Sequence, residues 1–380
     1  MRILYHHRTR GEDAQGIHIT EIINAFKKLG HEVEVVGIVS HNKKASDVSG
    51  SSFISQIAAK APALIYELME IVYNFYGFYL LKKKIIKFKP DLIYERYALF
   101  TFAGLLASKL FKVPLIEEVN APLSYEKSKY SKLVLQKFAA WCEKMICTHS
   151  YQTIVVSTPL KKMIKKLGVP DEKFMVIPNG VNTDHFNVSI HGNRIRDKYN
   201  INGKKVLGFV GWFREWHGLE DLLTIYLKKK MFGNNIHLLL VGDGPAYDSL
   251  VHIAKENKIL DSGVTFTGPI ERQCIPEYIA AFDLALQPDV TDYASPIKLF
   301  EYISMGKGVI APDKENITEI LGRAYPGLFK ARDWNSMGEV ICRCADSDNM
   351  INELSQLSYE IFLENRYLWT ENARKTLNML

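Results

Sequence analysis

The 380-residue sequence predicts two doubly wound α/β domains in tandem. Three observations carry this. Short apolar runs of the kind that make buried parallel strands alternate with amphipathic helical patterns over residues 1–185. A polar stretch, FNVSIHGNRIRDKYNING at Phe186 to Gly203, then holds no sustained strand and reads as an interdomain linker. Beyond it the alternation starts afresh, defining a second domain over 186–355 and a helical segment over 356–380. Sheets wound this way bind ligands outside the carboxyl ends of their strands, so a cleft is expected between the two domains.

In the first domain, Arg2 to Tyr5 reads as a strand and His6 to Gln15 as a polar loop. Gly16 opens a helix with Ile17, Ile19, Ile22, Ile23 and Phe26 on one face, and Val33 to Ile38 follows as a strand. This βαβ unit lacks GxGxxG, which argues against a dinucleotide-dependent dehydrogenase. Residues 39–56, rich in Ser, Asn, Lys and Asp, read as a loop, and Ala58 to Lys89 as a long helix. Strands at Asp91–Glu95, Pro114–Val119, Thr153–Val156 and Met175–Ile177 alternate with helices at Phe100–Leu110, near Ser131–Cys147 and at Pro159–Leu167.

In the second domain, strands are expected at Val206–Val210, His237–Val241, Val264–Thr267, Leu284–Gln287 and Val309–Ala311. The fourth leads into DVTDYASPIKLFEYISMGKG. Ser295 has a hydroxyl suited to capping a helix, and Pro296 is tolerated at the first helical position. Lys298 and Glu301, three residues apart, would be neighbours on the surface of that helix. A helix start of this kind offers amides and a positive dipole end to a phosphate. The two acceptor oxygens of Glu301 suit the vicinal hydroxyls of a ribose. The plainer reading, an ordinary strand-helix unit with Glu301 in solvent, stays open on this stretch alone.

The other strand ends carry their own signals. GFVGWFREWHGLEDLL places Gly211 at a strand end and Arg214 and His217 in the following loop, where they could hold a diphosphate. Its plain reading is a polar connection with two tryptophans packing locally. Gly242, in VGDGP, and Thr267-Gly268-Pro269 mark either tight turns or ligand loops. Their common place at the carboxyl ends of strands in one sheet favours the second reading.

Composition narrows the class. Hydrophobic content of 47% and charged content of 24% are those of a soluble globular chain. The five cysteines form no CxxC pair, which argues against a disulfide framework and a zinc site, and for a reducing, cytoplasmic setting. No apolar run approaches the ~18 residues a membrane span needs, and MRILYHH is too short and polar for a signal peptide. The net charge of +6 is uneven: residues 1–185 hold 26 Lys+Arg against 17 Asp+Glu, and the remainder 22 against 25. Unequal halves imply different partners. Asp346-Ser347-Asp348 has the form of a metal-binding DxD, but its place between helical patterns makes it a cap or turn.

Taken together in their spacing, GFVGWFREWHGLEDLL, LLLVGDGP, VTFTGPI, SPIKLFEYISMGKGVIAP and VIPNGVNTDHF resemble the retaining GT-B glycosyltransferases of family 4. The likeness continues in DAQGIHITEIINAFKKLGHEV, PLIEEVNAP and TIVVSTPL, and so covers nearly the whole chain. It implies a nucleotide-sugar donor held by the second domain, a saccharide or lipid-linked acceptor held by the first, and closure over both. It also implies retention of configuration, no cofactor, no obligatory metal and no nucleic-acid partner. The final helix would cross back onto the first domain and bury Trp369.

By position, Glu301 matches the second glutamate of the E-x7-E motif, the ribose ligand. Tyr293 stands where the first is expected, with Asp292 one residue out of register. His217 occupies the place of the phosphate-binding lysine, which would make activity more pH-sensitive. Arg214 lies two residues beyond the usual arginine, where Trp212 stands. Gly16 matches the first-domain glycine near the donor phosphates, and Asn120 a position near the reacting sugar, with Asp13, His18 and Glu118 as neighbours. The expected catalytic set is thus Arg214, His217, Lys298 and Asn120. The expected donor-binding set is Gly16, Gly211, Gly242, Thr267, Gly268, Tyr293, Ser295, Ile297 and Glu301.

Two rivals share the architecture. A nucleotide-sugar 2-epimerase would act on the donor alone, and a catalytically silent nucleotide-sugar-binding protein is prompted by Tyr293 and His217. Aromatics at Tyr66, Tyr73, Phe75, Tyr76, Phe78 and Tyr79, followed by Lys82-Lys83-Lys84, Lys87 and Lys89, suit a helix on an anionic bilayer. They equally suit a crossover helix with solvated lysines.

Overall fold

The computed structural model describes residues 1–9, 14–37 and 62–380. Asp13 and the loop expected over 39–56 lie outside them. Two compact units result: Met1–Pro178 with Asn372–Leu380, and Asn179–Glu371.

Unit 1 runs β1 (Arg2–His6), α1 (Ala14–Lys28), β2 (Glu32–Val36), α2 (Ala63–Phe88), β3 (Leu92–Arg96), α3 (Ala103–Phe111), β4 (Leu115–Val119), α4 (Leu123–Tyr130), α5 (Gln136–His149), β5 (Gln152–Val155), α6 (Thr158–Lys165) and β6 (Phe174–Val176). Its six strands pair in parallel in the order β2-β1-β3-β4-β5-β6. The strand order therefore reverses between β1 and β3. Gly16 lies inside the first turns of α1 rather than opening it, and α4 is a helix the sequence pattern does not disclose. Ser157 caps α6 by accepting the Leu160 amide at 3.1 Å.

Unit 2 runs α7 (Asn193–Lys198), β7 (Lys205–Val210), α8 (Leu219–Lys228), β8 (Ile236–Val241), α9 (Tyr247–Glu256), β9 (Val264–Phe266), α10 (Ile275–Ala280), β10 (Leu284–Leu286), α11 (Ile297–Ser304), β11 (Gly308–Pro312), α12 (Glu315–Leu321), β12 (Leu328–Phe329), α13 (Trp334–Ala345) and α14 (Asp348–Asn365). The parallel order is β12-β11-β10-β7-β8-β9. Counted from the unit's own first strand, this is the 3-2-1-4-5-6 order of dinucleotide-binding folds. Every residue of β8 is buried, as expected of a strand covered on both faces. The two-residue β12 is too short to show a pattern.

The polar stretch expected as a linker belongs to unit 2. Phe186, Ile195 and Ile201 are buried in its core, and residues 193–198 form α7. These apolar anchors, with ion pairs from Arg194 to Glu277 and from Arg196 to Asp283, dock a segment whose composition is otherwise that of a loop. Ser347 caps α14 by accepting the Met350 amide, and Asp348 pairs with Lys205 at 2.6 Å, so this DxD is a helix start. The last helix, α15 (Trp369–Leu377), begins in unit 2, and its residues from Asn372 onward belong to unit 1. There Asn372 donates to the Pro178 carbonyl at 2.7 Å.

One glycine in unit 1 is required by contact. Glu95, buried in β3, receives His6 Nδ1 at 2.8 Å, and its other oxygen lies against Gly104 in the first turn of α3. A Cβ there would overlap the carboxylate. Gly104→Ala should therefore expel a buried charge and cost about 2–4 kcal/mol in urea unfolding. Gly233→Ala, where a Cβ meets nothing within 4 Å, should cost less than about 1 kcal/mol.

Candidate functional site

In unit 2 the chain leaves β7 and β10 toward opposite sides of the sheet, so a crevice opens at their carboxyl ends. The loop after β7 is pinned at two points. Phe213 is fully buried, donates its amide to Asp243 O at 2.6 Å and accepts from Ala246 at 3.1 Å. His217 O accepts the Asp289 amide at 3.0 Å, tying this loop to the one after β10. That second loop is braced by α12 and the residue before it. Lys314 pairs with Asp289 at 2.7 Å and Asp292 at 3.0 Å, and Asn316 donates to Thr291 O and Ala294 O.

The glycines have a backbone reason. Gly211 (φ +150°) and Gly242 (φ +131°) lie in a region L side chains rarely adopt. A Cβ on Gly242 would overlap the Gly211 carbonyl. Gly242 donates to Thr267 Oγ1 at 3.3 Å, and that hydroxyl donates to Gly268 O at 2.8 Å. Gly242, Thr267 and Gly268 thus join the ends of β8 and β9 to each other.

The start of α11 differs from the sequence expectation. Its first helical residue is Ile297, Pro296 is the N-cap, and Ser295 does not cap it. The serine hydroxyl instead accepts the Asn179 amide at 2.9 Å, while Asn179 Nδ2 donates to Ser295 O at 2.6 Å. The first-turn amides are therefore left without a side-chain cap, which is the condition for an anion to sit there. One turn further, the Tyr302 hydroxyl accepts the Val210 amide at 2.9 Å and fixes the helix to β7.

Lys298 and Glu301 are not surface neighbours. The Lys298 ammonium is buried, has no hydrogen-bond partner and lies 3.8 Å from the Phe209 ring centroid. It points at Gly211, where a Cβ would come within 2.7 Å of Nζ. Burial pushes its pKa down to about 7, against an upward pull from Glu301. Glu301 is 2% exposed and forms a short ion pair with Arg272, which also lies 4.5 Å over the Phe186 ring. Arg272 carries no motif, and its partner stands 29 residues on in sequence.

His217 Nδ1 accepts the Arg214 amide at 3.5 Å. Burial, then the Lys298 and Arg214 charges, push its pKa down to about 2. Its titration is thus displaced well below the ordinary imidazole range, which speaks against the pH sensitivity expected of it. The Arg214 guanidinium lies 5.1 Å from the Trp216 ring centroid. Tyr293 is buried. Asp292, held by Lys314 and 3.5 Å from Arg332, is committed to bracing the loop.

In unit 1, the carboxyl ends of β3 and β4 and the first turns of α1 bring together Arg96, Glu118 and His18. Arg96 Nη1 donates to His18 Nδ1 at 3.1 Å, and His18 Nε2 donates to Glu118 at 3.0 Å. Burial lowers the His18 pKa, against an upward pull from Glu118. Burial raises that of Glu118, but His18, Arg96 and Tyr94 outweigh it and hold the carboxyl below its usual range. Asn120 Nδ2 is buried without a partner, and Gly16 is buried in α1. Among the described residues no three His, Cys, Asp or Glu side chains cluster to hold a metal ion. Nor is any helix among them long and apolar enough to cross a membrane.

Comparison with known proteins shows the family and the fold. Residues 15–185 match the model of Glycosyltransferase Family 4, and residues 204–347 that of Glycosyl transferases group 1. Between them the two matches span most of the chain, which belongs to this family of glycosyltransferases. A curated relative is the UDP-Gal:alpha-D-GlcNAc-diphosphoundecaprenol alpha-1,3-galactosyltransferase of Escherichia coli. It is 26% identical over 73% of this chain and 71% of its own. The fold matches Anabaena HepE in complex with UDP, with a TM-score of 0.72 at 16% identity over both whole chains. It also matches sucrose-phosphate synthase of Thermosynechococcus elongatus, with 0.72 and 16% over 100% of this chain and 98% of that one. The chain is thus an enzyme with the GT-B fold.

The buried Lys298 ammonium has a cost in the empty protein. Between pH 7 and the unfolded value near ~10.4 the unfolded chain binds more protons than the folded one, so wild-type stability rises with pH. Lys298→Met should be more stable than wild type by about 1–3 kcal/mol at pH 6. Urea unfolding at pH 6 and 8.5 should show that margin shrinking as pH rises.

Proposed function

We propose that this enzyme moves a sugar from a UDP- or GDP-sugar to an acceptor hydroxyl with retention of configuration, in synthesis of a cell-envelope polysaccharide or glycolipid. The observation that carries the reading is the partnerless ammonium of Lys298, buried at the reversal point of unit 2 beside Gly211. A buried cation with no counter-charge is costly unless an anion arrives to meet it. The diphosphate of a nucleotide sugar is such an anion. In this reading Lys298, Arg214, neutral His217 as a hydrogen-bond donor, and the amides at Ile297 hold the diphosphate. Glu301 takes the ribose hydroxyls, and the turns at Gly211, Gly242, Thr267 and Gly268 frame the nucleotide.

Charge grows on the leaving phosphate as the glycosidic bond breaks, and these donors are already in place to receive it. The acceptor hydroxyl would then attack the face the diphosphate leaves, passing its proton to the departing phosphate oxygen. No metal is needed for this, because the protein supplies the positive charge. Unit 1 would hold the acceptor, with Asn120, Gly16, Glu118 and His18 as the residues the family resemblance implies. The Escherichia coli relative's lipid-linked acceptor supports a saccharide on a lipid diphosphate. Tyr293, in place of a carboxylate, would select the donor sugar by packing and one hydroxyl rather than by charge.

Incubation with a panel of UDP- and GDP-sugars tests the reading. Slow release of free nucleotide supports transfer, an epimeric nucleotide sugar supports the epimerase alternative, and tight binding without turnover supports a silent binding protein. Glu301→Ala should weaken donor binding at least ~100-fold, as expected when a buried charged acceptor is lost. Unchanged turnover in that variant would remove the site assignment.

An anionic membrane surface fits α2. Val72, Phe75, Tyr76 and Tyr79 are exposed on it, Phe75 by 80%, and Lys82, Lys83, Lys84 and Lys87 follow. Aromatic side chains beside lysines suit the headgroup layer on the cytoplasmic face of a bilayer. The protein should sediment with phosphatidylglycerol vesicles and not with phosphatidylcholine ones. The combined change of Phe75→Ser and Lys82, Lys83 and Lys84→Glu should abolish this, leaving donor hydrolysis intact.

A further inference from the structure

The ion pair between Arg272 and Glu301 has a role that goes beyond fold stability. Glu301 is almost wholly buried, and a carboxylate so placed needs a charged partner. Lys298, one turn back on α11, does not hydrogen-bond to it: its ammonium has no such partner and lies over Phe209 beside Gly211. The charged partner of Glu301 comes from a different segment, the turn after β9, where Arg272 reaches one carboxylate oxygen. Its guanidinium carbon also lies 4.5 Å from the centroid of the Phe186 ring. Phe186 is itself buried in the unit 2 core and cannot yield. The arginine thus lies beside that ring and is bonded at one nitrogen, with 37% of its side chain exposed.

We infer that Arg272 is a positioning residue for the nucleoside end of the donor site. It binds one oxygen of Glu301 and leaves the second oxygen for the ribose hydroxyls. The two cations of the site then divide the work: Lys298 faces the diphosphate, and Arg272 holds the group that faces the ribose. A lysine could replace the charge but not the planar, delocalised guanidinium beside Phe186, so it should restore only part of the effect. This rests on the nucleotide-sugar reading of the same crevice.

The test measures UDP and GDP affinity by calorimetry on the full-length protein, for wild type and for Arg272→Ala, Arg272→Lys, Glu301→Gln and the double variant Arg272→Ala/Glu301→Gln. Arg272→Ala should weaken binding about tenfold or more, and Arg272→Lys should recover a substantial part of the loss. The double variant should bind no more weakly than Glu301→Gln alone, because Arg272 acts only through the carboxylate. Losses that add, or tighter binding by Arg272→Ala, would overturn the inference; the latter would make the pair a competitor of the ribose. Thermal unfolding of each variant identifies any that is misfolded, and Arg272→Lys keeps the comparison valid should Arg272→Ala fail to fold. Wild type binding neither nucleotide would instead overturn the reading of the crevice. A normal wild-type affinity with additive losses would overturn the role of Arg272 alone.

Discussion

A single unmet charge organises the second unit. The Lys298 ammonium is held in a dry position between the Phe209 ring and the turn at Gly211, with no hydrogen-bond acceptor. Folding ordinarily avoids this, since a buried cation loses its hydration and gains nothing back. The surroundings must therefore be rigid enough to enforce it. Tyr302 anchors α11 to β7, Phe213 plugs the first loop, and Lys314 and Asn316 brace the second. Strain or unpaired polarity that the rest of the structure over-determines is characteristic of sites that wait for a ligand.

That rigidity depends on backbones meeting directly. The turns after β7 and β8 approach so closely that a side-chain atom on Gly242 would strike the Gly211 carbonyl. The two turns are joined through the Phe213 and Asp243 backbones. A ligand entering the crevice thus meets amides and carbonyls whose positions do not depend on rotamers. The glycines are needed for this contact between turns, which the spacing of GFVG and VGDG does not by itself disclose.

What the amino-acid order discloses follows from the range of each interaction. Strands such as Ile236–Val241 are legible because burial on both faces leaves an unbroken apolar run. Glu301 and Lys298 are legible as a pair because helix geometry places them, although their burial is not. Ser295 misleads because a capping serine and a serine bound elsewhere look alike in sequence; its partner, Asn179, is 116 residues away. The stretch from Phe186 to Gly203 misleads for the opposite reason, since Phe186, Ile195 and Ile201 are too sparse to show a period. Arg272 is invisible because nothing local marks it: both Phe186 and Glu301 come to it only through the fold.

The two units treat charge in opposite ways, and this is consistent with what each is proposed to hold. In unit 1 the charged groups at the strand ends satisfy one another: Arg96 donates to His18, His18 donates to Glu118, and arginine and carboxylate cancel. Two buried atoms there have no hydrogen-bond partner, Glu118 Oε2 and the Asn120 amide, and the amide is a group suited to an uncharged hydroxyl. In unit 2 Glu301 pairs with Arg272 rather than with Lys298, whose ammonium has no hydrogen-bond partner. In the proposed site, a histidine at position 217, where the family resemblance implies a lysine, would limit the positive charge beside Lys298. Because the ring stays neutral, it can donate a hydrogen bond without adding a second buried cation beside the first. A lysine in its place would have to share the pocket with Lys298, and each would push the other toward its neutral form.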